Sequence, residues 1–159
     1  MNNNLGQTPI TKKGYEALKK ELEHLKTVAR PQNIRAIEEA RAHGDLSENA
    51  EYHAAKERQS FIDGRMGELG YKLSSATVVD TTKLPKDRVV FGCTMVLENI
   101  DTGESIEYQL VGPDEFDISK GRISIASPLG KAILGKKPGD EVTLVAPGGK
   151  RSYELVEIL

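Results

Sequence analysis

The apolar residues of the first half of the chain fall into two narrow stripes, and this limits the fold more than any other feature. Tyr15, Leu18, Leu22 and Leu25 recur at the alternating three-four spacing of a coiled-coil seam, which continues loosely through Ile34 and Ile37. After Gly44 the pattern restarts with Phe61, Ile62, Met66, Leu69 and Leu73, and charged residues surround both stripes. A helix with so narrow an apolar face buries it best against a second helix of the same kind. Two such segments joined by a few residues therefore predict an antiparallel hairpin. Thr11, following Thr8-Pro9-Ile10, is placed to cap the first helix. Pro31 lies inside the first stripe, removes a donor and clashes with the turn before it, so a kink or a break into two helices is expected there. If residues 12–43 are mostly helical, the hairpin is roughly 45–50 Å long at 1.5 Å per residue. Most of that length would project into solvent. Gly64, Gly67 and Gly70 sit in the second stripe, where each glycine costs about 1 kcal/mol relative to alanine. Two readings stand for them: the helix pairing tolerates them, with close backbone approach as one way it could, or they make a flexible stalk.

The grammar changes near Asp80-Thr81-Thr82-Lys83-Leu84-Pro85. Five of the seven prolines follow this point. Residues 1–79 carry 12 of the 22 Lys+Arg and 11 of the 24 Asp+Glu, so the first half is near neutral and the second is acidic. A two-domain division at 1–79 and 80–159 follows. In the second half, Val89–Glu98 and Ile106–Val111 read as strands around the turn Asp101-Thr102-Gly103, with a shorter strand at Ile123–Ile125. Pro128 opens a short helix through Leu134, and Val142–Val145 with Tyr153–Ile158 form a closing hairpin around Pro147-Gly148-Gly149-Lys150. The fold class is α+β: a long antiparallel helical coiled-coil hairpin followed by a small antiparallel sheet domain with one short helix.

Composition excludes several functions. The net charge of -2 disfavours a free-standing duplex-DNA binder. The apolar runs are too short for a membrane helix, and Met1-Asn2-Asn3-Asn4 shows no secretory signal. The single cysteine, Cys93, makes no internal disulfide, so a cytoplasmic location is expected. No phosphate-binding glycine loop, paired-cysteine metal motif, nucleophile elbow or zinc-protease motif occurs.

The chemistry concentrates where the two helices must reverse. Gly44 suits the end of a helix, and Asp45 and Glu48 follow it directly. Their spacing is that of a capping box, with Asp45 accepting from a backbone N–H and Glu48 reaching back. The same spacing also presents two hard oxygen donors for Mg²⁺, which takes one or two protein carboxylates beside waters and phosphates. Two carboxylates are too few to hold the ion alone, so this second reading requires a partner's ligands. Arg41 and Lys56 flank the tip across the antiparallel pair. They are either solvated helix surface or a local patch for nucleic-acid phosphates. Tyr52 is placed either to stack on a base or to pack at the tip. His43 and His53 lack a convincing metal spacing.

The run Glu39-Ala40-Arg41-Ala42-His43-Gly44-Asp45-Leu46-Ser47-Glu48-Asn49-Ala50-Glu51-Tyr52-His53-Ala54-Ala55-Lys56-Glu57 closely resembles the Gre family of bacterial transcript cleavage factors. Pro9-Ile10-Thr11, Val89-Val90-Phe91-Gly92, Ser127–Lys136 and Pro147-Gly148-Gly149 extend the likeness along nearly the whole chain. The resemblance implies that the hairpin enters the secondary channel of RNA polymerase. It implies a second domain, similar in fold to FK506-binding-protein (FKBP) prolyl isomerases, docked at the channel rim. Asp45 and Glu48 would help hold a second Mg²⁺, shared with the polymerase, and so stimulate the polymerase's own cleavage of backtracked nascent RNA. The chain itself would not be an enzyme. Arg41 and Lys56 fall where the family places basic groups near the RNA 3′ end, with Lys56 standing in place of an arginine. Ser127, Pro128, Leu129 and Ile133 are candidates for polymerase docking. A monomer with no membrane partner is expected. The sequence pI near 6.0 and the single small basic cluster favour the A-type branch over the more basic B-type. Other readings are an inhibitory relative occupying the same channel, a stand-alone Mg²⁺-dependent nuclease, a coiled-coil adaptor and a prolyl isomerase.

Overall fold

The computed structural model describes residues 7–159, and the reading of Met1–Asn4 lies outside them. Two compact units are present. One is Tyr15–Ala76; the other contains Thr77–Leu159 together with the first strand. Strand β1 (Thr8–Thr11) therefore groups with the second half of the chain, where the composition shift near residue 80 did not place it. It pairs with β2 (Ala76–Val79) in a two-stranded sheet.

The first unit is helical. Helix α1 (Lys12–His24) runs through a π-helical turn at Leu25–Ala29 into α2 (Arg30–Arg41), and α3 (Ala50–Ser75) returns. Thr11 caps α1 as expected, its Oγ1 accepting the Gly14 N–H at 3.0 Å. The break expected at Pro31 does not occur. The Arg30 N–H bonds to the Leu25 carbonyl five residues back, and helical backbone continues on both sides. A wide turn is one way to relieve the clash of a proline ring with the carbonyl four residues before it.

The wide turn also resets the seam. On α3 the buried residues are Ala55, Ile62 and Leu69, one per heptad. On the other arm Leu18 and the half-buried Leu25 are seven apart, and the buried Asn33 and Ala40 are seven apart, but Leu25 to Asn33 is eight. The π turn lies within that interval and takes up the extra residue. Phe61 was expected in the seam, yet it is 74% exposed because its neighbour Ile62 occupies the inward position. Ile34, at 36% exposed, is likewise displaced outward by Asn33.

The arms are antiparallel. Asn33 donates from Nδ2 to the Ala55 carbonyl at 2.8 Å and to Gln59 Oε1 at 2.9 Å, and its Oδ1 accepts from Arg58 at 3.2 Å. Arg65 grips Glu21 with two bonds of 2.8 and 3.0 Å, and Arg30 meets Asp63 at 3.0 Å. The Glu21 carboxylate raises the pKa of Arg65, its hydrogen bonds being the largest cause. Nothing lies within 4 Å of where a Cβ would stand on Gly64, Gly67 or Gly70. Close backbone approach therefore does not explain these three glycines.

The second unit is built on a five-stranded sheet in the order β5-β4-β3-β7-β6, from β3 (Thr94–Asn99), β4 (Ser105–Val111), β5 (Arg122–Ser124), β6 (Glu141–Ala146) and β7 (Gly149–Ile158). The short helix expected here is α4 (Pro128–Ile133). Met95, Leu97, Leu110 and Leu155 are fully buried, and Ile133 of α4 packs with them. The α+β class holds, with one departure: β5 runs parallel to β4, while the other pairs in this sheet are antiparallel. Two 3-10 turns, Pro113–Glu115 and Ile118–Lys120, carry the chain between those strands. The strand expected from Val89 starts only at Thr94. Gly92 has φ +87°, which breaks an extended run, although Val89 and Cys93 still bury their side chains in the core.

Candidate functional site

The reversal between α2 and α3 occupies residues 42–49. Helix α2 ends as Ala42, His43 and Gly44 bond back onto the carbonyls of its last turn. Gly44 takes φ +107°, strained for any residue with a Cβ, and so sends the chain out of the helix.

The capping-box reading of Asp45 and Glu48 is overturned. The cap of α3 is Asn49, whose Oδ1 accepts the Tyr52 N–H at 3.0 Å while its Nδ2 donates to the Ala40 carbonyl at 2.7 Å. One side chain thus starts α3 and ties it to α2. Its sequence signal was an asparagine three residues before Tyr52 with an acid, Glu51, in the first turn.

With that task done by Asn49, both acids are released from capping, and both are exposed. Asp45 Oδ1 accepts two bonds from Ser47, the N–H at 3.0 Å and the hydroxyl at 2.8 Å. These bonds hold the carboxyl below the usual aspartate range, the hydroxyl contributing most. Among the described residues, Asp45 Oδ2 and the whole Glu48 carboxylate have no hydrogen-bond or ion-pair partner. The Ser47 carbonyl in turn lies 3.3 Å from His53 Nε2, on the first turn of α3.

Arg41 and Lys56 both relate to the Tyr52 face of α3. The Arg41 guanidinium sits over the Tyr52 ring, 5.9 Å from its centroid, and Tyr52 makes an edge contact with His53 at 5.7 Å. Lys56 is exposed and lies one turn beyond Tyr52 on the same face of α3. Tyr52 is thereby engaged with tip side chains.

Near α4 the four candidate docking residues separate. Pro128 is exposed. Ser127 caps the helix, its hydroxyl accepting the Gly130 N–H at 3.0 Å and donating to the Ser124 carbonyl at 2.6 Å. Leu129 packs on the core, and Ile133 is wholly buried in it. Ile133 is corrected to a core residue, since a side chain with no exposed surface has nothing to offer a partner.

No group of three or more histidine, cysteine, aspartate or glutamate side chains among the described residues is placed to hold a metal by itself. No helix among them is long and apolar enough to cross a membrane.

Residues 8–78 match the family model for the N-terminal domain of transcription elongation factors, and residues 84–159 match that for the GreA/GreB C-terminal domain. The chain is 54% identical to transcription elongation factor GreA of Methylococcus capsulatus over 155 residues, 97% of this chain and 98% of that protein. It is 57% identical to GreA of Syntrophus aciditrophicus over 150 residues, 94% of this chain and 93% of that one. The crystal structure of GreA factor homolog 1 of Thermus thermophilus aligns at 30% identity over 96% of this chain and 99% of that chain, with a TM-score of 0.44. Two family models that together span nearly all of the described chain, and full-length relatives sharing more than half its residues, lead to one conclusion: this chain belongs to the GreA/GreB family of transcription elongation factors.

Proposed function

We propose that this chain binds bacterial RNA polymerase as a monomer, passes its helical hairpin into the secondary channel and stimulates cleavage of backtracked nascent RNA. The hydrolytic reaction belongs to the polymerase, and the chain supplies groups to it. One observation carries the reading. Asp45 and Glu48 stand exposed on the turn between α2 and α3, with three carboxylate oxygens unpartnered among the described residues.

The donor set fits Mg²⁺ as a partial shell. Both groups are hard oxygen donors, and Mg²⁺ commonly takes only one or two protein carboxylates and fills its octahedron with water and phosphate. Asp45 and Glu48 would hold the ion jointly with the polymerase and the RNA. When bound, such an ion activates a water or stabilises the leaving oxygen in phosphodiester hydrolysis. Asp45 is ionised at neutral pH as any exposed aspartate is, and its bonds to Ser47 favour the charged form further. Arg41 is held over Tyr52, and Lys56 stands free on the same face, so both positive charges face one side of the tip, where the RNA 3′ end would lie. Lys56 would meet a phosphate as a point charge, without the two-pronged geometry of an arginine. On the sheet unit, Ser127, Pro128 and Leu129, which all keep exposed surface, are the docking candidates that remain.

The test is RNA cleavage in a stalled elongation complex at several Mg²⁺ concentrations. Asp45→Ala and Glu48→Ala are each expected to reduce stimulated cleavage at least a hundredfold, the scale of removing a catalytic electrostatic group, while competing normally for polymerase. Full cleavage by both variants, or inhibition by the wild-type chain without added cleavage, overturns the reading.

A further inference from the structure

The two acids of the tip are held very differently. Glu48 has no partner among the described residues, whereas Asp45 is clamped at one oxygen by both donors of Ser47. The clamp is itself anchored, because the Ser47 carbonyl lies within hydrogen-bond reach of His53 on α3. Two residues later Asn49 ties the same strand of loop to the end of α2. An exposed aspartate normally samples several rotamers, and ordering a side chain on binding takes free energy from the affinity. Here two hydrogen bonds favour one rotamer in advance, and the occupied oxygen is the one turned to the loop.

We propose, on the functional reading above, that Ser47 is the positioning residue of this site: its N–H and hydroxyl hold one oxygen of Asp45 so that the other is preset as a divalent-cation donor. Asp45 then serves as the fixed ligand and Glu48 as the adaptable one. The hydroxyl is the part that a substitution can remove, since the N–H bond survives any change except to proline.

The experiment uses the full chain with Ser47→Ala, Ser47→Thr and Asp45→Asn. In the free protein, without metal or polymerase, three-bond NMR couplings report the Asp45 χ1 rotamer. A single rotamer is expected for the wild type and for Ser47→Thr, which keeps a hydroxyl, and an averaged one for Ser47→Ala. In the stalled complex, Ser47→Ala is expected to need about three- to tenfold more Mg²⁺ for half-maximal stimulation, the scale of freeing one ordered side chain. Its maximal rate and polymerase competition should stay near wild type, and Ser47→Thr should titrate within twofold of wild type. A merely structural role would instead lower polymerase competition or helix content, in Thr as well as Ala. That pattern overturns the proposal, as does an averaged Asp45 in the wild type. The two levels fail separately. Full cleavage by Asp45→Asn overturns the ligand role of Asp45 and the role of Ser47 with it, and full cleavage by Glu48→Ala as well overturns the functional reading. An inactive Asp45→Asn beside a Ser47→Ala variant with the wild-type Mg²⁺ requirement overturns the role of Ser47 alone.

Discussion

Asp45 and Asn49 show how a short motif conceals its division of labour. Spacing allowed Asp45 and Glu48 to be either cap or ligand, and nothing local separates those uses. The structure separates them because Asn49 satisfies the first turn of α3 and bridges to the Ala40 carbonyl, a contact nine residues away in sequence. Sequence reasoning named both acids and both basic residues, Arg41 and Lys56. It passed over Ser47 and Asn49, whose roles lie in hydrogen-bond directions that only the folded loop defines. The Asp45–Ser47 bonds carry a pH prediction. They favour the ionised carboxylate, so the folded pKa is below the ordinary value of about 3.9. The order they bring to the loop is complete above that ordinary value and fades as pH falls through the lower folded one. An NMR titration should therefore find Asp45 among the most acidic aspartates, and Ser47→Ala should move its midpoint upward. A midpoint unmoved by that change would mean that the hydroxyl does not stabilise the charge.

At the level of elements, the helical stripes announced a hairpin, and the period of the apolar residues was enough to do so. The stripe did not say which of two neighbouring apolar residues faces inward. Phe61 and Ile62 are adjacent, only one fits the heptad of Ala55 and Leu69, and that choice depends on the partner helix. Nor could the pattern show that Pro31 is accommodated by a π turn, whose extra residue brings Asn33 and Ala40 into the seam. Asn33 is a buried polar group with its hydrogen bonds supplied from α3, an arrangement known to fix register in coiled coils. The glycines of α3 yield a stability prediction. They stand in a helix interior with open space around the missing Cβ, so alanine gains propensity and meets no obstacle. Gly64→Ala and Gly67→Ala should each stabilise the helical unit by about 0.5–1 kcal/mol, read as a rise in thermal midpoint by circular dichroism. A fall in midpoint would show that these positions need glycine for a reason other than space.

Over the whole molecule, Glu115 makes a contact that no local pattern suggests. Its carboxylate accepts from the Thr11 N–H at 3.2 Å, from the Thr11 hydroxyl and from the Gly112 N–H at 3.2 Å, joining residues 104 apart in sequence. Thr11 is only 5% exposed, so losing the acceptor strands a buried donor. Glu115→Ala should cost about 1–3 kcal/mol in chemical denaturation. Glu115→Gln, which keeps the stem and one acceptor oxygen, should cost less, and equal losses would show that the contact needs both carboxylate oxygens or their charge. This contact lies within the unit that contains β1, which explains why a composition shift near residue 80 could not assign the first strand. The helical hairpin, the α+β class, the family and the acids of the tip were legible in the order of residues, because each rests on periodicity or on a contiguous run. The tertiary structure alone decided which residues face the seam, which strand pair runs parallel, which side chain caps α3, and that Ile133 belongs to the core. Each of these depends on a partner distant along the chain, and distance in sequence carries no directional information until the backbone brings the two groups together.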